Sequence, residues 1–252
     1  TKRCIRSDVE YDLIENQGIT EIMEDTKGTI KYESFMYLAS NDYKILEPQY
    51  NAIKNKIQNR KVLITGSNSG LGKHLMEKFR SEGYEVFEHN GKKHFDLTKI
   101  KDVKQLAIDA IESGVTTLIN NAAIVCPNKT FNQYDETEIL NMINVNLTAP
   151  ILLCFYMREH LDNVININSM VGLEVKQPRT LYSATKWGLR GFSNSLQAEK
   201  GIPFILDVYP TNIKTTPDKE NAMPVDVVVN HIYESFDKGT DNYLILDGRP
   251  KK

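Results

Sequence analysis

The run Lys61-Val62-Leu63-Ile64 ends directly in Thr65-Gly66-Ser67-Asn68-Ser69-Gly70-Leu71-Gly72, and no other stretch of the 252 residues limits the fold so strongly. Beyond it Leu71, Leu75, Met76 and Phe79 recur at helical spacing. A short buried strand, a glycine turn and an amphipathic helix make half of a βαβ unit. Glycine lets backbone approach a ligand closely, and the first-turn N–H groups, with the helix dipole behind them, favour an anion such as a phosphate. Alone, the cluster is a weak signal, because a tight loop with no ligand has the same composition.

The rest of the chain repeats the alternation. Tyr84 to Glu88 reads as a second strand, His94 to Leu97 as a short third and Thr117-Leu118-Ile119-Asn120 as a fourth, with a helix over Thr98 to Ser113. Helices are expected over Asp135–Glu159, with a break near Pro150, and over Ala184–Glu199. Val164 to Ile167, Phe204 to Val208 and Leu244 to Leu246 supply further strands. The pattern predicts an α/β fold, a Rossmann-type doubly wound parallel sheet in three layers, over residues 60–252.

Residues 1–59 read as a separate amino-terminal extension. Ile19 to Glu24 and Thr29 to Tyr37 alternate apolar and polar residues about Asp25-Thr26-Lys27-Gly28, as in a hairpin. Pro48 to Gln58 has helical spacing, with proline at the first position, where its missing N–H costs nothing. Neither an internal repeat nor a low-complexity tract interrupts the chain.

Composition narrows the function classes. A net charge of −2 gives no basic excess for a nucleic-acid partner. The longest apolar run, Ala149 to Met157, is about half of what spans a bilayer, so no membrane partner is expected. Thr1-Lys2-Arg3-Cys4 carries no apolar signal-peptide core, and Cys4, Cys126 and Cys154 form neither a disulfide framework nor a metal pair. The expected setting is the reducing cytoplasm. The five histidines have no metal spacing, and a surface or packing role is the better reading for each. Cys126 reads as a small pocket-lining residue, and Lys176 and Arg179 as a solvated loop rather than an anion site.

Three further motifs follow the glycine turn in a fixed order: Asn120-Asn121-Ala122-Ala123, then Ser169, then Tyr182-Ser183-Ala184-Thr185-Lys186. With twelve tyrosines, one Tyr-x-x-x-Lys arises by chance, and Tyr50 with Lys54 is such a decoy. The second pair has the order, spacing and context of the other motifs, and chance is a poor account of all four together. The set resembles the short-chain dehydrogenase/reductase family, in its single-domain branch, over roughly Arg60 to Leu246. That resemblance implies an NAD(P)(H)-dependent oxidoreductase interconverting a carbonyl and an alcohol on a small-molecule substrate.

It also implies residue roles. The dinucleotide would rest on Gly66, Ser67, Asn68, Ser69, Gly70, Leu71 and Gly72, with Asp96 and Leu97 at the adenine and Asn121, Ala122 and Ala123 along the fourth strand's end. Pro210, Ile213 and Thr215 match the segment after the sixth strand. Cofactor choice falls at His89 and Asn90, where no acid is present to bond a ribose hydroxyl, and Lys92 and Lys93 follow closely. NADP(H) is therefore favoured over NAD(H). No metal is implied.

For the chemistry, tyrosine's reference pKa near ~10 is too high for proton exchange at neutral pH, and a cation one helical turn away lowers it. Tyr182 and Lys186 have that spacing. By resemblance Tyr182 is the general acid/base, Lys186 also binds ribose, Ser169 bonds the substrate oxygen and Asn146 holds a relay water. The chain departs from the family pattern in Ala123, in Thr211 after Pro210, and in a short lid over Thr216 to Met223. A non-catalytic dinucleotide-binding regulator and a sugar-nucleotide-modifying enzyme are the alternatives. A homodimer or homotetramer is expected through the stretch Ala149 to His160 and the helix after Tyr182.

Overall fold

The computed structural model describes residues 60–125, 129–215 and 222–249, together with four short strands nearer the amino terminus. The chain divides into two compact units, Thr1–Arg60 and Lys61–Lys252. In the first, β1 (Lys2–Ile5) pairs antiparallel with β2 (Glu10–Leu13), and β3 (Met23–Glu24) with β4 (Ile30–Lys31). The second pair flanks the turn expected at Asp25 to Gly28. The β1–β2 pair has no counterpart in the sequence reading, and the helix expected over Pro48 to Gln58 lies outside the described residues.

The second unit begins with β5 (Lys61–Thr65), α1 (Gly70–Ser81), β6 (Glu85–His89), α2 (Ile100–Glu112) and β7 (Thr117–Asn120). It continues through α3 (Glu136–Ile143), α4 (Ala149–Met157), β8 (Asn163–Ile167), α5 (Thr180–Ala198) and β9 (Phe204–Pro210). Two short strands, β10 (Ile213–Lys214) and β11 (Met223–Pro224), pair with each other before α6 (Val225–Lys238) and β12 (Tyr243–Leu246). Six strands form one parallel sheet in the order β6-β5-β7-β8-β9-β12. Winding reverses between β5 and β7, and at such a point the carboxyl ends of the strands leave a crevice.

Alternation along each strand assigns the two faces. Leu63, Leu118, Val164 and Ile205 pack with Leu106 of α2 and Leu153 and Met157 of α4. Their neighbours Ile64, Ile119, Ile165 and Leu206 pack with Leu75 and Phe79 of α1 and Ile232 of α6. Burial on both faces is what near-continuous apolar strands require.

Three expectations need correction. His94 to Leu97 forms no strand, so the sheet has six strands where that reading added another edge. A parallel neighbour requires a crossover of about a dozen residues, and Asn90 to His94 leaves no room for one. The chain instead makes a single 3₁₀ turn at Gly91–Lys93. The helix around Pro150 does not break: a π-helical turn, Asn144–Thr148, joins α3 to α4, with Ala149 N–H donating to the Asn144 carbonyl. The resulting stretch Glu136–Met157 is 22 residues long, and by length and composition it is apolar enough to cross a bilayer. Counting only unbroken apolar residues missed this; much of the apolarity serves the interior, where Met142, Leu153 and Met157 are fully buried. Finally, α5 begins at Thr180, four residues before its expected start at Ala184, which puts Tyr182 in its first turn.

Candidate active site

The glycine turn is built as a cradle. Gly66 and Gly70 have φ of +67° and +54°, a region costly for side chains. A Cβ on Gly72 would lie 2.1 Å from the Gly66 carbonyl oxygen, so turn and helix touch at that point. Ser69 precedes α1 in extended conformation, and its side chain makes no capping bond to the helix. Ser67 is fully buried and fastened to the His89 carbonyl through both its N–H and its hydroxyl, each at 3.3 Å.

Across the crevice the end of β7 is tied to the same turn. Thr65 Oγ1 accepts from Asn121 N–H (2.9 Å) and Ala122 N–H (3.0 Å), and Asn121 Nδ2 donates to the Thr65 carbonyl at 2.8 Å. Between them opens a cleft of about 460 Å³. Gly66, Ser69, Gly70, Leu71, Asp96, Leu97, Asn121, Ala122, Ala123 and Thr215 line it, all named from sequence. Ser67, Asn68, Gly72, Asn90, Pro210 and Ile213 do not reach its wall. Asn90 is exposed, and its carbonyl accepts from Asn68 Nδ2 at 3.5 Å.

His89 is the cleft residue that sequence reasoning undervalued. It is 3% exposed, its Nδ1 accepts from Gly66 N–H at 3.1 Å, and its Nε2 lies 2.8 Å from the Phe95 carbonyl. Those partners assign the proton to Nε2 and leave the ring neutral. Burial pushes its pKa below the usual histidine value, against the pull of the Phe95 carbonyl and with the charge of His94 adding to the drop. Lys92 also lines the cleft, beside Asp96. Burial raises the Asp96 carboxyl, but the Thr98 hydroxyl and N–H, with Lys92 and Lys99, outweigh it and hold the group below the usual range.

A second cluster lies where β8 and α5 meet. Tyr182 is 8% exposed and packs with Met142, Val171 and Leu181. Its hydroxyl faces that of Ser169, which follows β8 in extended backbone. Lys186, one turn along α5, is 3% exposed; its Nζ donates to the Ile167 carbonyl at 2.7 Å and stands 5.7 Å from the centre of the Tyr182 ring. Burial pushes Lys186 down to about 8, against the charge of Asp207.

The electrostatics of Tyr182 differ from the simple expectation. Burial raises its pKa, and the opposing pull comes from the Ser169 hydroxyl and the Arg179 guanidinium. The Lys186 ammonium is committed to a carbonyl rather than to the phenol. Asn146 differs too. Its Oδ1 accepts from Ile124 N–H (2.7 Å), and its Nδ2 donates to the Ile124 carbonyl (2.9 Å) and to Thr185 Oγ1 (3.3 Å). The side chain is a bracket between the cleft wall and α5, with both amide hydrogens engaged. Cys126 and most of the short lid, residues 216–221, lie outside the described residues. Among the described residues no cluster of metal-binding side chains occurs.

The family model described as short chain dehydrogenase matches residues 91–223. A relative from Buchnera aphidicola, named 3-oxoacyl-[acyl-carrier-protein] reductase FabG, is 30% identical over 195 residues, which is 65% of this chain and 78% of its own. An uncharacterized oxidoreductase from Thermotoga maritima is 29% identical over 167 residues, 56% of this chain and 66% of its own. Among solved structures, a short chain dehydrogenase from Burkholderia cenocepacia in complex with NADP superposes with a TM-score of 0.68 at 20% identity, covering 77% of this chain and 98% of that one. A short-chain dehydrogenase from Sphingobium yanoikuyae in complex with NADPH gives a TM-score of 0.63 at 24% identity, over 74% and 86% of the two chains.

Proposed function

The chain belongs to the short-chain dehydrogenase family of NAD(P)-dependent oxidoreductases, and from that premise we propose a carbonyl–alcohol oxidoreductase in which Tyr182 exchanges the proton with the substrate oxygen. The observation that carries this reading is the meeting of Ser169, Tyr182 and Lys186 where the end of β8 adjoins α5, tied through Thr185 and Asn146 to Ile124 on the cleft wall. When bound, a nicotinamide dinucleotide supplies or accepts the hydride.

The chain's own groups do the rest. Ser169 donates to the substrate oxygen and polarises it, and Tyr182 gives up its proton as negative charge develops there. Lys186, 5.7 Å from the centre of the ring, favours that loss, because its positive charge stabilises the phenolate. Its ammonium would also hold the ribose of a bound dinucleotide. Asn146 keeps the Ile124 backbone and Thr185 at fixed separation, so cleft and proton donor stay aligned.

The cradle can take a dinucleotide: a Cβ on Gly70, on the cleft wall, would meet only the Thr215 methyl at 3.9 Å, so the start of the helix faces open space. Gly66, Ser69, Gly70 and Leu71 would hold the pyrophosphate, and Asp96 and Leu97 the adenine side. NADP(H) is the favoured form. His89 has both ring nitrogens occupied internally, while Lys92 on the cleft wall supplies a cation for a 2′-phosphate. The substrate is a small carbonyl or alcohol compound. Exposed Leu140, Phe155 and Trp187 support a dimer or tetramer, which light scattering tests.

The deciding experiment follows nicotinamide fluorescence during titration with NADPH and with NADH, for the wild type and Lys186→Ala, and then screens carbonyl substrates. Tight binding of NADPH weakened by the substitution is the expected result. Binding of neither cofactor overturns the reading.

A further inference from the structure

Among the described residues, the buried set contains a single acid, Asp207, and a single lysine or arginine, Lys186, at 2% and 3% exposure. A charge taken out of water is costly unless an opposite charge or several hydrogen bonds meet it. The two come from different elements, β9 and α5, and share one place in the fold. Asn120, Asn166 and Asp207 stand in register on β7, β8 and β9, each two residues beyond Leu118, Val164 and Ile205. They therefore continue the sheet face covered by α2, α4 and α5. Asn120 Nδ2 donates to Asn166 Oδ1 at 2.8 Å, and Asn166 Nδ2 to Ser193 Oγ of α5 at 2.9 Å. The row is thus neutral amides that end in one carboxylate.

Lys186 reaches the same row. The carbonyl it grips belongs to Ile167, next to Asn166, and Ile167 pairs across the sheet with Val208, next to Asp207. Asp207 Oδ2 accepts from Tyr209 Oη at 2.8 Å, but its buried Oδ1 has no hydrogen-bond partner. The Ile167 bond uses one of three ammonium hydrogens.

We propose that Asp207 is the internal counter-charge of Lys186, a positioning residue that keeps the lysine charged and seated behind Tyr182. The inference rests on the reading of Tyr182 and Lys186 as the proton-handling pair, and it adds a third member from the neighbouring strand. Other ionisable groups frame it without replacing it. Arg179 acts on Tyr182, Arg190 on Tyr209, and β8 contributes only neutral amides to the row. Asp207 in turn holds Tyr209 above the usual tyrosine value, after burial the largest influence on it. Burial raises the Asp207 carboxyl above the usual carboxylate range, against the polar side chains of Ser193, Tyr209, Asn166 and Asn168 around it, and the two charges make no direct ion pair. In the ionised form of Asp207, Lys186 retains its proton to higher pH than burial alone would allow, and the phenolate of Tyr182 keeps a cation behind it.

The test reads Lys186 directly, by NMR of the full chain carrying ¹⁵N-labelled lysine side chains, in wild type and Asp207→Asn. The wild-type titration is expected near about 8, and removing the carboxylate charge should move it down by about one pH unit or more. An unmoved titration in a folded variant overturns the proposal. Should Asp207→Asn fail to fold, the reciprocal measurement serves: ¹³Cγ-aspartate NMR of Lys186→Met. Loss of the ammonium should raise the Asp207 titration by a comparable amount, since coupling between two sites is mutual. No rise overturns the proposal. Neither readout depends on turnover, so a protein that binds no cofactor sinks the oxidoreductase reading while the pair stands or falls by its own titration.

Discussion

Gly66 N–H donates to Nδ1 of His89 across 3.1 Å, joining the glycine turn to the end of β6 through a neutral imidazole. The other ring nitrogen faces the Phe95 carbonyl at 2.8 Å, so the ring braces the glycine turn against the Phe95 segment of the cleft wall.

His89→Phe should therefore cost about 1–3 kcal/mol, the range for leaving buried polar groups unpaired, and should weaken NADPH binding as the turn loosens. Its pH dependence has a definite sign. The folded pKa lies below that of the unfolded chain, so this contribution is complete above the unfolded value near ~6.5 and is lost as pH falls towards the folded one. Urea denaturation between pH 5 and 8, roughly bracketing that reference value, should show this loss in wild type and not in His89→Phe.

Two glycine substitutions should act in opposite directions. A Cβ on Gly72 meets the Gly66 oxygen at 2.1 Å and Asn121 Nδ2 at 2.5 Å, neither of which yields without moving the cradle. Gly72→Ala should weaken NADPH binding by about tenfold or more, or 1.4 kcal/mol. A Cβ on Gly191, within α5, meets nothing within 4 Å. Gly191→Ala should raise stability by about 0.8–1 kcal/mol through helix propensity. Melting curves and fluorescence titrations on both variants check the pair.

Removing the Tyr182 hydroxyl leaves the ring in place among Met142, Val171 and Leu181. Tyr182→Phe should retain NADPH affinity within about twofold while turnover of any active carbonyl substrate falls by about 10²–10⁴. Equal losses in binding and turnover would point to a structural role instead.

Lys92 stands on the cleft wall, where its charge acts on Asp96. Lys92→Glu should lower the ratio of NADPH to NADH affinity by about tenfold, chiefly by weakening NADPH. A ratio unchanged from wild type would remove Lys92 from the 2′-phosphate site.

What the sequence made legible was local. Lys61 to Gly72 announced strand, turn and helix because each signal lies within a few residues of the next. His94 to Leu97 looked equally strand-like, but its fate was decided by the chain available for a crossover, not by its own side chains. The bracing role of His89 stayed hidden because its partners, Gly66 and Phe95, are joined to it only by folding. Asp207 did leave a trace: an acid in the apolar run Phe204-Ile205-Leu206-Asp207-Val208 has no place in a buried strand unless something answers its charge. The sequence does not name Lys186 as that answer, since the strand and α5 come together only in the fold.

The π-turn at Asn144–Thr148 adds one residue to an otherwise regular rod. Ahead of it, Met142 sits with Tyr182, and beyond it Ala149, Leu153 and Met157 sit against the sheet. The two halves need different phases, and the extra residue supplies the offset. Asn146 lies at the joint, so its amide keeps its aim at Ile124 whichever half is adjusted. The rod has a slipped thread where its two halves meet, and the amide that brackets Ile124 to Thr185 sits on that thread.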